Sequence, residues 1–140
     1  DELVEVGVTD IGPDIKGSRV ETFMKIIGTT DEALARRYLA NEWAITRYIA
    51  ENYYPEKVFM GIGIPYNRCF ISLDEIHEMG EKIFEINPQI QVCLLDYYPT
   101  FRRRDMERPT YWEMRGAWDT LREAGLKTVI AQTQIGHLGP

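Results

Sequence analysis

The sequence predicts an α/β fold built on parallel strands, and three observations carry that prediction. The run Val58 to Ile64 is almost unbroken apolar sequence, closed by Pro65, Tyr66 and Asn67. A strand apolar on both sides normally has parallel neighbours, because crossover connections bring the helices that cover both faces. Three more short apolar runs, Leu3 to Val8, Ile90 to Asp96 and Lys127 to Gln132, alternate with segments of helical period. Right-handed crossovers curl such βα units into part of a barrel, with all C-terminal strand ends on one rim. The expected architecture is thus a parallel four-stranded half of a partial TIM-type barrel, with helices on its outer face and every strand running one way.

In chain order, Leu3, Val4, Val6 and Val8 predict the first strand, with Ile15 extending it past an irregularity at Gly12 and Pro13. Ser18 and Glu21 predict a capped helix over Val20 to Ile27 that Gly28 stops. Thr29 and Glu32 predict a second capped helix reaching about Glu51, with Leu34, Tyr38, Ile45, Tyr48 and Ile49 on its inner face. Arg36, Arg37, Glu42 and Arg47 fall on its margins and back, and Trp43, opposite the stripe, is expected to pack under a neighbouring segment or else to help form an interface. Behind the central strand, Ser72 and Glu75 cap a helix whose stripe is Ile76, Met79, Gly80 and Ile83, ended by Asn87 and Pro88. Thr110 and Glu113 open the last helix, with Met114, Ala117, Trp118 and Leu121 facing in. Gln132 to Pro140, with the lone His137, is expected to be a loosely held tail.

The chain, 140 residues with 44% apolar content, can close one core, and residues 1–140 are expected to form a single domain. A net charge of -6 argues against non-specific nucleic-acid binding, which needs excess Lys and Arg. No run approaches the roughly 20 apolar residues of a membrane span, and none resembles a signal peptide, so a cytoplasmic setting without a membrane partner is expected. The chain starts at Asp1 without a methionine, which points to a fragment or a processed product. Cys69 and Cys93 match no metal spacing and are expected to be free thiols in or near the core. His77 is expected at a solvated rim.

Asp14-Ile15-Lys16-Gly17, followed by Phe23 and Ile27-Gly28, is similar to a strand-end Asp-Leu/Ile-Lys element of radical S-adenosylmethionine enzymes. The likeness is to the pyruvate formate-lyase activating enzymes and their relatives. Ile64-Pro65-Tyr66-Asn67 resembles their Ile/Val-Pro-Gly strand end, and Leu94-Leu95-Asp96-Tyr97-Tyr98 resembles their Leu-Leu-Pro-Tyr-His element. Glu123-Ala124-Gly125-Leu126 follows in the same order. Each motif is weak alone, and their order along nearly the whole chain carries the resemblance. The family's Cys-x3-Cys-x2-Cys loop is absent, Tyr98 stands in place of a histidine and Asp96 in place of a proline. The resemblance implies the C-terminal half of a partial barrel, whose missing N-terminal half would hold the four-iron four-sulfur cluster.

That resemblance also implies a site. Asp14 would pair with the amino group of S-adenosylmethionine or an associated cation, and Lys16 would approach its carboxylate. Ile62, Gly63 and Ile64 would offer the adenine an apolar wall and open backbone groups, and Tyr98 would reach the ribose or line the substrate cavity. The plainer readings are an exposed ion pair for Asp14 and Lys16, close helix packing for the glycines, and a core lid for Tyr98. Arg102, Arg103 and Arg104 form a solvated loop or engage an anionic substrate or docking protein. The expected activity is hydrogen abstraction by a 5′-deoxyadenosyl radical from a glycine of a partner glycyl-radical protein or from a small molecule, with this chain inactive alone. One alternative is a non-catalytic half-barrel binding or scaffold module. Another is a TIM-type enzyme using Asp14, Lys16 and Asp96 for proton transfer.

Overall fold

The computed structural model describes residues 1–100 and 104–140. The chain runs α1 (Glu2–Glu5), β1 (Asp10–Ile11), α2 (Val20–Ile27), α3 (Glu32–Asn52), β2 (Phe59–Tyr66), α4 (Leu73–Ile86), β3 (Gln91–Asp96), α5 (Tyr111–Glu123), β4 (Val129–Thr133) and β5 (Gly136–Leu138). The strands lie in one sheet in sequence order, β1 to β4 parallel and β5 antiparallel to β4. The sheet is therefore five-stranded and mixed, not four-stranded and purely parallel. The expected tail forms the extra strand because Thr133 closes the turn. Its hydroxyl donates to the Gly136 carbonyl at 2.8 Å and accepts from the Ile135 amide at 3.2 Å.

The first strand also lies elsewhere than expected. Glu2–Glu5 is a single helical turn with Leu3 and Val6 60% and 79% exposed. Pairing starts where the Phe59 amide meets the Thr9 carbonyl, continues through Asp10 and Ile11, breaks at Gly12 and resumes where Asp14 bridges Gly63. Ile15 is the fully buried residue of this segment, with Val4 and Ile11 packed against the core from its edge. Alternation in Leu3 to Val8 could not reveal this, since it is β2 that selects the partner residues.

One face of the sheet is packed. Met60, Ile62, Ile64, Val92, Leu94, Val129 and Ala131 are fully buried with Ile76, Met79 and Ile83 of α4 and Met114, Ala117 and Leu121 of α5. The α4 and α5 stripes are as the periodicity predicts, with Trp118 packed against them. Gly80 is required there: a Cβ on it would lie 2.6 Å from that of Ala124, so only glycine lets the two helices approach so closely. On the opposite face Gly61, Gly63, Cys93, Leu95 and Ile130 are half-buried.

Helix α3 turns a different face inward. Ala35, Leu39, Thr46, Ile49 and Ala50 are buried, whereas Tyr38, Ile45 and Tyr48 are exposed. Phe23 of α2 packs on Ala35 and Leu39, and the small Ala35 admits this contact where a larger side chain would hold the helices apart. Trp43 does pack, against both apolar clusters, and its indole N–H donates to the Gly17 carbonyl at 3.1 Å.

The helix starts also differ in part. Thr110 and Glu113 form the complete reciprocal cap. Asp31, not Thr29, caps α3 by accepting from the Leu34 amide. Arg19 precedes α2 without a side-chain cap, and the Ser18 hydroxyl donates instead to Glu78 at 2.9 Å. Ser72 accepts from the Glu75 amide, but the Glu75 carboxylate turns away to the start of α2.

Candidate functional site

At the C-terminal ends of the parallel strands, two loops, the strand ends and α2 enclose a cleft of about 450 Å³. Asp14 and Lys16 enter from the segment after β1, Pro65 from β2, Asp96 and Tyr98 from the end of β3, and Gln132 from β4, while Ile26, Ile27 and Leu95 add apolar wall. Parallel strands in consecutive order place these separate ends on one rim. Its volume is within the range of small-molecule sites.

Lys16 lies between two carboxylates. Its Nζ is 3.3 Å from Asp14 Oδ2 and 3.7 Å from Glu42 Oε1, and its amide donates to Glu42 Oε2 at 3.2 Å. The Glu42 side chain is 20% exposed and that of Asp14 53%, so Asp14 is the carboxylate that solvent or a ligand can reach. Burial pushes the Glu42 carboxyl above its ordinary range, and the hydrogen bond from Lys16 only partly opposes this. Asp14 packs over Gly63: a Cβ on that glycine would come within 2.6 Å of Asp14 Oδ1.

Asp96 is almost wholly buried, its side chain 4% exposed. Arg108 donates to its Oδ2 through Nε at 2.8 Å and Nη2 at 2.5 Å, with the guanidinium 5.0 Å from the centroid of the half-exposed Tyr98 ring. Buried Asn67 ties the rim together. Its amide nitrogen donates to the Tyr97 and Glu107 carbonyls, each at 2.9 Å, and its oxygen accepts from the Cys69 amide at 2.9 Å. Arg68 pairs with Glu107 and Glu113, anchoring the far end of the same loop to α5.

The chain matches no family model, no curated protein and no solved structure.

Of the residues expected at the site, Asp14, Lys16 and Tyr98 line one cleft. Ile62 and Ile64 do not: both are fully buried in the core. Nor does Gly63 offer an open edge, because its amide donates to the Pro13 carbonyl at 2.9 Å and its carbonyl accepts from the Ile15 amide at 2.8 Å. The apolar residues that do line the cleft include Ile26, Ile27 and Leu95. Cys69 is exposed in the turn after β2 rather than in the core, and Cys93 is half-buried in β3. Two such thiols do not fit a cluster that needs three from one protein loop, and no group of three candidate metal ligands occurs among the described residues. His77 is at a partly exposed rim, 3.7 Å from Glu81. Arg102 and Arg103 lie outside the described residues.

Sequence reasoning missed Glu42, treated as marginal, and Arg108. Nothing local marks Glu42, which is chosen by Lys16 from 26 positions away. Arg108 did leave a signal: an aspartate ending a buried strand needs a cation, and arginine supplies a fork for it.

Proposed function

We propose that this chain is the ligand-binding part of a radical S-adenosylmethionine enzyme of the activating-enzyme type, one strip of a partial barrel completed by chain that carries the cluster. The observation that supports this reading is the convergence of Asp14, Lys16 and Tyr98, from two separate strand ends, on one cleft of suitable size. A cationic or zwitterionic ligand with an apolar ring fits that lining, its positive end against Asp14 and its ring against Ile26, Ile27, Pro65 and Leu95. S-Adenosylmethionine would supply the radical chemistry when bound. This chain's residues hold and orient it, and no proton-transfer step falls to them, since Lys16 is shared by two carboxylates and Asp96 is held by Arg108.

The same ion pairs favour the second reading, a binding or scaffold module without chemistry. The two separate on calorimetry of the chain with S-adenosylmethionine and on its melting temperature. Binding should stabilise the fold by about 2.7 kcal/mol at a hundredfold excess over Kd, and Asp14→Asn should abolish most of that gain. No heat and no thermal gain with the wild-type chain, or a coding sequence without a cysteine triad upstream of Asp1, would end the enzyme reading.

A further inference from the structure

A second hollow, larger than the cleft and sharing no lining residue with it, runs between α3 and α4 and encloses about 660 Å³. Helix α3 lines it with Arg36, Leu39, Ala40, Trp43, Ala44 and Arg47. These positions advance by alternate steps of three and one, so they form a single straight seam about 16 Å long at 1.5 Å per residue. That is the pattern with which one helix receives another. A compact small molecule would contact only part of so long a seam.

The middle of the seam is suited to close approach. Ala40 and Ala44 are exposed and small. Trp43 is fixed as a floor by its bond to the Gly17 carbonyl, and Ile86 of α4 flanks it, half-buried. The charges are arranged around that floor. Arg36 and Arg47 stand at the two ends, and Lys82 of α4 lies 5.1 Å from the Trp43 ring centroid. Glu85 is the one carboxylate in the lining, in a chain whose Asp and Glu outnumber Lys and Arg by 22 to 16. Arg36 and Arg47 pair with Glu32 and Glu51 along the exposed surface of their own helix, and such pairs exchange partners at little cost.

We propose that this groove docks an acidic amphipathic helix of a partner protein. Its apolar stripe lies on Trp43 and the two alanines, and its carboxylates face Arg36, Arg47 and Lys82. This site is independent of the cleft at the strand ends, and its test does not depend on what the cleft binds.

The test titrates the full chain into fluorescein-labelled probes and reads anisotropy. One probe is a helix-forming peptide of about four turns, with Leu at i, i+3, i+4 and i+7 and Glu beside the stripe. The second carries Lys in place of every Glu, and the third is an oligothymidine. The acidic peptide should bind saturably and at least about tenfold more tightly than the basic one. Ala44→Glu should abolish this binding and Lys82→Glu should weaken it about tenfold, while both variants keep the wild-type melting temperature because both positions are exposed on helices. Absence of saturable binding by the acidic peptide, equal binding of the basic one, unchanged binding to Ala44→Glu, or tighter binding of oligothymidine would each overturn the proposal.

Discussion

Glu75 and Glu42 are helix carboxylates drawn in to serve the segment between β1 and α2, yet they have opposite surroundings. Glu75 is buried and amply satisfied: it accepts from the amides of Ser18 at 2.9 Å and Arg19 at 3.0 Å and from the Thr22 hydroxyl at 2.6 Å. Its negative charge also lies at the positive end of α2. Glu42 meets one lysine, accepting a hydrogen bond from its backbone amide and sharing a longer ion pair, while burial works against its charge. Donor count, rather than burial, therefore separates a carboxylate that fixes the fold from one that can respond to its surroundings. Asp96 belongs with Glu75, since Arg108 grips it from two nitrogens.

The largest test of this contrast is Glu75→Ala. Removing it strands two amides and leaves the Thr22 hydroxyl only its longer bond to the Phe70 carbonyl, at a part-buried contact between α2 and α4, and should cost about 3 kcal/mol or more in denaturant unfolding. A loss below about 1 kcal/mol would erase the distinction between the two carboxylates. Arg108→Ala comes next. It leaves the Asp96 carboxylate buried without its cation and should cost about 2 kcal/mol, less than a fully buried pair because Arg108 itself is partly exposed. The same variant should loosen Tyr98, read as faster hydrogen exchange around residues 96–98.

The smallest effect concerns Glu42, and its value is in the sign. A carboxyl whose folded pKa exceeds its ordinary 4.5 binds its proton more tightly when folded. Its contribution is therefore fully present below the unfolded pKa and is lost as pH rises through the folded value. Glu42→Gln removes that dependence, so unfolding measured between pH 4 and 7 should show the variant gaining on the wild type as pH rises. A variant that loses ground to the wild type as pH rises would mean instead that Lys16 outweighs desolvation. Glu42 would then join Glu75 among the structural carboxylates.

The elements legible in the sequence share a property: their local apolar pattern coincides with what they bury. Ile76, Met79, Gly80 and Ile83 of α4 read as a stripe and are one. The runs at β2, β3 and β4 read as strands for the same reason, and Asp14, Lys16 and Tyr98 could be placed on one rim once the strands were taken as parallel. Helix α3 was harder. Apolar and aromatic residues surround it, so its pattern permits more than one inner face, and the contact with Phe23 of α2 decides between them. The segments at the two ends failed in opposite directions, Leu3 to Val8 losing a strand and Gly136 to Leu138 gaining one, because a strand's existence depends on a partner elsewhere in the chain.

What the amino-acid order determined by itself was the βα alternation, the inner faces of α4 and α5, the reciprocal cap at Thr110 and the excess of acid. Each follows from periodicity or hydrogen bonding within a few residues. Only the tertiary structure decided that Lys16 answers to Glu42, that Arg108 folds back onto Asp96, that Ile62 and Ile64 belong to the core, and that α3 and α4 leave a groove between them. Those outcomes depend on distances between residues far apart in sequence, where burial and donor supply, not local pattern, select the partner.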